Sequence, residues 1–66
     1  MHTGKIKSLV RHRGFGFIKD TDGREIFFSQ HNLVNMEFDM LALDQEVTFD
    51  VEKGDKGPRA IGVRNA

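Results

Sequence analysis

Cysteine, tryptophan and tyrosine are absent from this chain of 66 residues, and proline occurs once. Without cysteine there is no disulfide framework and no thiolate metal site, as expected in a reducing compartment. No apolar run approaches the ~20 residues that a membrane-spanning helix needs. The opening MHTGKIKS carries no apolar segment of an export signal, so the expected location is the cytoplasm, with no membrane partner. The histidines at 2, 12 and 31 are too widely spaced for a paired metal motif. No nucleophile–base constellation and no phosphate-binding glycine loop occurs, so neither an enzyme nor a cofactor is expected.

What is present is short and unevenly charged. A chain of this size makes one small domain, residues 1–66, and buries only roughly 60% of its unfolded surface. Net charge is zero, but its distribution is not flat. Residues 1–19 carry +5, residues 20–55 carry −8 and residues 56–66 carry +3. If the two ends lie side by side, they form one basic face and leave an acidic one behind.

The hydrophobic pattern is all-β. GKIKSLV (4–10), GFGFIK (14–19), IFFS (26–29), EVTFDVEK (46–53) and RAIGVR (59–64) read as five strands of period two. Asp22-Gly23 supplies a positive-φ turn between the second and third, and Asp20 and Asp22 read as turn formers. One helical turn is expected near SQHNLV, 29–34. Five short strands without a second layer favour a small antiparallel β-barrel. Its predicted core is Ile6, Ile18, Ile26, Phe28, Val47, Phe49, Val51, Ile61 and Val63.

Four of the six phenylalanines stand in two short runs, RGFGFI and EIFFSQ. Alternation sends Phe28 inward and places Phe15, Phe17 and Phe27 together on the opposite face. Three exposed rings need a cover, and nucleobases are one: each stacked base is worth ~1–3 kcal/mol. Packing under a loop or onto a partner chain is the competing reading. The interleaved glycines are expected to let a ligand approach the backbone closely.

These runs resemble the bacterial cold shock proteins, the single-domain form of the cold-shock OB-fold. RGFGFI (13–18) is similar to the family's first ribonucleoprotein motif, K-G-F-G-F-I, and IFFSQ (26–30) stands where the second, V-F-V-H-F, belongs. GKIK (4–7) resembles the opening strand, and GDKGPRA (54–60) the loop ending in G-P. The likeness runs without a gap from about residue 3 to 65, and with Met1 it is what a complete gene product would show. It implies binding of single-stranded RNA or DNA with low sequence specificity, and a role as RNA chaperone or regulator of gene expression. Lys7, Arg13, Phe15, Phe17, Phe27 and Phe38 match the family's contact positions, and Lys56 a basic position in the neighbouring loop. Glu25 stands where the family often has an aspartate that hydrogen-bonds a base edge.

The departures matter as much. The family's Trp-Phe pair is here Ser8-Leu9, and the His-Phe of the second motif is Ser29-Gln30. Losing the stacking of two bases costs roughly 2–6 kcal/mol, about 30-fold to 10⁴-fold in affinity. Ser29 and Gln30 keep hydrogen-bonding capacity, and Leu9 can still cover apolar surface. Arg11, His12 and Arg59 add cationic or protonatable groups, so binding is expected to shift from stacking toward electrostatics. The alternative is a barrel that binds protein or forms a weak homodimer through Phe15, Phe17, Phe27 and Leu9. The apolar stretch MEFDML (36–41) either packs onto the barrel or offers an interaction edge.

Overall fold

The computed structural model describes residues 1–55 and 57–66; Lys56 lies outside the described residues. Five strands are formed: β1 (His2–Val10), β2 (Phe15–Asp20), β3 (Glu25–Ser29), β4 (Glu46–Gly54) and β5 (Gly57–Asn65). They close in the order β1-β2-β3-β5-β4, the small β-barrel that the patterning predicts, of the OB type that the resemblance implies. The closing contact is the exception to the antiparallel rule: β3 and β5 run parallel, with Phe27 opposite Arg59. Among the described residues this closure shortens the unpaired strand edges that could template association.

Alternating residues fill the interior. Ile6, Ile18, Ile26, Phe28, Val47, Phe49 and Val63 are sealed, as predicted. Two predicted core positions are not: Val51 packs against the core without being sealed, and Ile61 is half-buried. The cause at Ile61 is a register shift between Thr48 and Asp50 opposite Gly62, whose φ of 58° demands glycine. The extra residue breaks the period of two, so Ala60 and Val63 point inward instead.

Phe38 and Leu41 complete the core from the connection between β3 and β4. This connection holds two short 3-10 turns, Gln30–Asn32 and Phe38–Met40. The first is capped reciprocally: the Ser29 hydroxyl accepts from the His31 N–H, and the Asn32 side chain accepts from the Ser29 N–H. The apolar stretch therefore packs down, with Met36 against the core, while Met40 and Leu43 stay exposed. The turn conformations are carried by Asn35 and Asp44, both at positive φ, in place of glycine.

The β2–β3 turn is organised by Asp20, a carboxylate buried inside its own hydrogen bonds. It accepts from the Asp22 and Arg24 backbone N–H groups, both at 2.9 Å, and from Arg24 Nε at 3.1 Å. The Arg24 backbone donor, foremost, holds its pKa below the ordinary aspartate value, against the opposing effect of desolvation.

The two basic ends do not meet. On the closed barrel β5 is separated from β2 by β3 and from β1 by the acid-rich β4. The two basic blocks are therefore not on adjacent strands, because strand order rather than chain position decides neighbours.

Candidate nucleic-acid interface

The pleat of β2 and β3 produces a cluster of three rings. Phe17 lies directly opposite Phe27 in the ladder, and Phe15 opposite Ser29. Ring centroids are 5.5 Å apart for Phe15 and Phe27, 6.0 Å for Phe17 and Phe27, and 6.3 Å for Phe15 and Phe17. Two of these contacts are edge-to-face, which fixes the rings against one another while leaving each half-buried. Such a surface offers ring faces in fixed relative positions and no hydrogen-bond code, which suits bases of any identity.

The glycines beneath serve the barrel. A Cβ on Gly16 would stand 2.4 Å from the Ser8 carbonyl oxygen and 3.0 Å from the Phe28 ring. Gly16 faces inward and lets β1 and Phe28 approach β2, so it does not clear space for a ligand. Gly14, at φ 72°, turns the chain from β1 into β2, and the exposed Gln30 side chain lies over it at the rim.

The predicted cations divide. Lys7 donates to Glu25 at 3.1 Å, so each offsets the other's charge beside the rings. Arg11 turns away from the platform: its guanidinium donates to the Leu41 carbonyl at 2.7 Å and the Asp39 carbonyl at 3.3 Å. That ties the Phe38–Met40 turn to the end of β1. Arg13 is exposed and, among the described residues, forms no ion pair. Arg59 is paired with Glu52, its cross-strand neighbour. Ser29 uses its oxygen in the cap of the 3-10 turn, which leaves the hydroxyl proton for a base edge. Lys56 falls outside the described residues.

Two predicted contact residues lie on the core side of the barrel. Phe38 is only 7% exposed, with its ring 6.2 Å from that of Phe28. It extends the core and offers no face for stacking, because the Arg11 tether and Leu41 hold its turn against the barrel. Leu9 packs against the core opposite Gly16 and does not join the outer face. A β-bulge between Ile6 and Ser8 inverts the alternation of β1 there. The same bulge places Ser8 opposite Phe17 and Val10 opposite Phe15. Ser8 stands beside the rings as the Ser8-Leu9 pair implies, while Val10 is the neighbour that sequence reasoning missed, since no glycine or proline marks the bulge.

A cleft runs from the rings to the β4–β5 hairpin, lined by Phe17, Phe27, Gly54, Gly57, Pro58 and Arg59, with Asp55 at its edge. Another depression, at the far end of β1 and β2, mixes Lys5, Lys7 and Lys19 with Asp20, Asp44 and Glu46. It carries as many carboxylates as ammonium groups and no ring, so nothing in it favours a polyanion. Among the described residues no group of three His, Asp or Glu side chains could hold a metal ion, and no helix is long and apolar enough to cross a membrane.

A closed five-stranded barrel with an aromatic cluster on β2 and β3 defines a class of small β-barrel domains. The chain belongs to the cold-shock domain family: the profile of the 'Cold-shock' DNA-binding domain matches residues 2–66. It is 42% identical to the cold shock-like protein CspA of Vibrio cholerae, over 92% of this chain and 89% of that protein. It is 38% identical to cold shock protein 2 of Lactiplantibacillus plantarum, over 97% of both. The fold is similar to that of a solved structure, drosophila Unr CSD456, with a TM-score of 0.78 and 25% identity. That match covers 98% of this chain, which spans 26% of the Unr chain. Membership assigns a nucleic-acid-binding function of the cold-shock type and no enzymatic activity.

Proposed function

We propose that the protein binds single-stranded RNA and DNA with little sequence preference at most positions, as an RNA chaperone or regulator of gene expression. The Phe15–Phe17–Phe27 cluster carries this reading: three half-exposed rings held 5.5 to 6.3 Å apart on one face. No described residue covers them fully, and bases stacked on them would remove the remaining apolar surface from water.

Binding is weaker and more electrostatic than in members with a full set of platform aromatics. Ser8, Ser29 and Gln30 supply no ring, while Arg13 stands exposed at the corner where β2 begins. Affinity should therefore fall steeply with salt. Anisotropy titrations of labelled heptathymidine and heptauridine at several salt concentrations test this. Saturable binding of both, with log K falling linearly in log salt, is the expected result. A flat salt dependence removes the electrostatic part of the proposal, and absence of binding at millimolar protein removes the whole of it.

Self-association is the competing reading, favoured by Met40, 77% exposed, and Leu43, 60% exposed. Sedimentation equilibrium separates the two: a monomer that binds oligonucleotide supports the first, and a dimer indifferent to oligonucleotide supports the second.

A further inference from the structure

We infer that Arg59 makes the subsite beside Phe27 selective for guanine. This rests on the single-strand reading above and adds a base preference at one position. Arg59 lies level with Phe27 in the parallel β3–β5 contact, and both residues line the cleft that leads off the ring cluster. A base stacked over Phe27 at the mouth of this cleft has Phe17 and Pro58 as its other apolar walls. Gly57, at φ 121°, adds no side chain to obstruct it. Among the described residues the charged side chains of the cleft are Arg59 and Asp55, and of the two only the Arg59 guanidinium offers donors to a base edge.

The question is whether that guanidinium reads phosphate or a base edge. Arg59 is ion-paired with Glu52, and the two side chains are similarly exposed, 45% and 40%. The pair has no net charge, and the Glu52 carboxylate repels a phosphate brought alongside. Arg13 is the contrasting case, an arginine at the other end of the platform with no ion pair among the described residues. Partnered in this way, Arg59 is poorly suited to phosphate but is held in orientation, with most of its N–H donors still free.

A fork of adjacent donors selects adjacent acceptors. Guanine presents O6 and N7 side by side, and arginine to that edge is the commonest specific protein–base contact. Adenine places an amino donor beside N7, and thymine and uracil separate their two carbonyl oxygens by an N–H. Cytosine also has adjacent acceptors, but its single ring covers less of Phe27 than a purine does. Guanine alone combines the acceptor pair with the larger stacking area.

The test is a set of labelled heptathymidines, each with one dG, dC, dA or 7-deaza-dG at one position, titrated by anisotropy against wild type, Arg59→Lys and Arg59→Ala. Arg59 is exposed, so both variants should fold, which circular dichroism checks. At one position dG should tighten binding about tenfold over heptathymidine. The 7-deaza base, lacking the N7 acceptor, should lose most of that gain. Both variants should lose the gain, so that their affinities for the dG-containing oligonucleotide and for plain heptathymidine converge. The inference is overturned if no dG position gains, if dC gains as much, or if the gain survives in Arg59→Ala. It is equally overturned if Arg59→Ala weakens all oligonucleotides alike and lowers the salt slope by about one, the mark of a phosphate contact. Heptathymidine bound without a guanine preference defeats this inference alone. Failure to bind any oligonucleotide defeats the single-strand reading first.

Discussion

Phe27 and Phe28 are neighbours in the chain and strangers in the fold. Phe28 is sealed inside the barrel at 0% exposure, and Phe27 lies half-buried on the outer face with Phe15 and Phe17. The same side chain is a core residue at one parity of the pleat and an interface residue at the other. Two further close pairs also divide, although each is two residues apart and so is not separated by the pleat. Arg11 is tethered to backbone carbonyls while Arg13 is exposed, and Asp20 is buried in its turn while Asp22 is exposed. Residue type sets what each side chain can do, and the face it occupies sets which of those things it does.

The first phenylalanine pair can be broken by mutation. Phe28→Ala removes a sealed ring at the centre of the core and should cost about 3–5 kcal/mol. In a domain this small that leaves little or no folded protein at room temperature, as thermal and denaturant unfolding would show. Phe27→Ala should leave the unfolding free energy within about 1 kcal/mol of wild type. It should weaken single-strand binding by about 5- to 150-fold, the loss of one stacked base. A variant pair with the two effects exchanged would contradict the assignment of faces.

The arginine pair sharpens the comparison. Arg11→Ala removes two hydrogen bonds from an exposed guanidinium and should destabilise by about 1 kcal/mol. Its clearer signature is faster amide exchange at Met40 and Leu41, whose N–H groups close the Phe38 turn. Its salt slope for oligonucleotide binding should hardly change. Arg13→Ala should do the reverse, leaving stability intact and lowering the salt slope by about one.

The aspartate pair yields the smallest effect, seen best as a pH dependence. The pKa of Asp20 is lowered in the folded state, so the unfolded chain binds its proton at a higher pH than the folded one. Its contribution to stability is therefore complete above the ordinary aspartate value, about 3.9, and is lost as the pH falls through the folded value. Asp20→Asn should lower the unfolding midpoint near neutral pH, with the difference from wild type closing under acid. Denaturation of wild type and Asp20→Asn at several pH values would check this convergence.

The interface was more legible than its edges. RGFGFI and EIFFSQ keep a strict period of two, so the outward set Phe15, Phe17 and Phe27 could be read directly from the residues. Leu9 could not, because the bulge before Ser8 changes which residues of β1 face outward without leaving a local signal. Phe38 matched a contact position in the resemblance and is nevertheless core. Its burial depends on Arg11, 27 positions earlier, reaching the carbonyls of Asp39 and Leu41. Ile61 failed for the same kind of reason, the register shift at Gly62.

By itself the sequence determined the barrel class, the strand count and the three-ring face. These follow from local alternation and turn chemistry, which act over a few residues. Tertiary structure decided which cations remain free, which glycines are compelled by packing, and that Phe38 turns inward. Each of those depends on partners brought together from distant parts of the chain, as when closing β3 against β5 sets Arg59 beside Phe27. Such contacts arise from strand order and bulges, and neither is written in the period of any single strand.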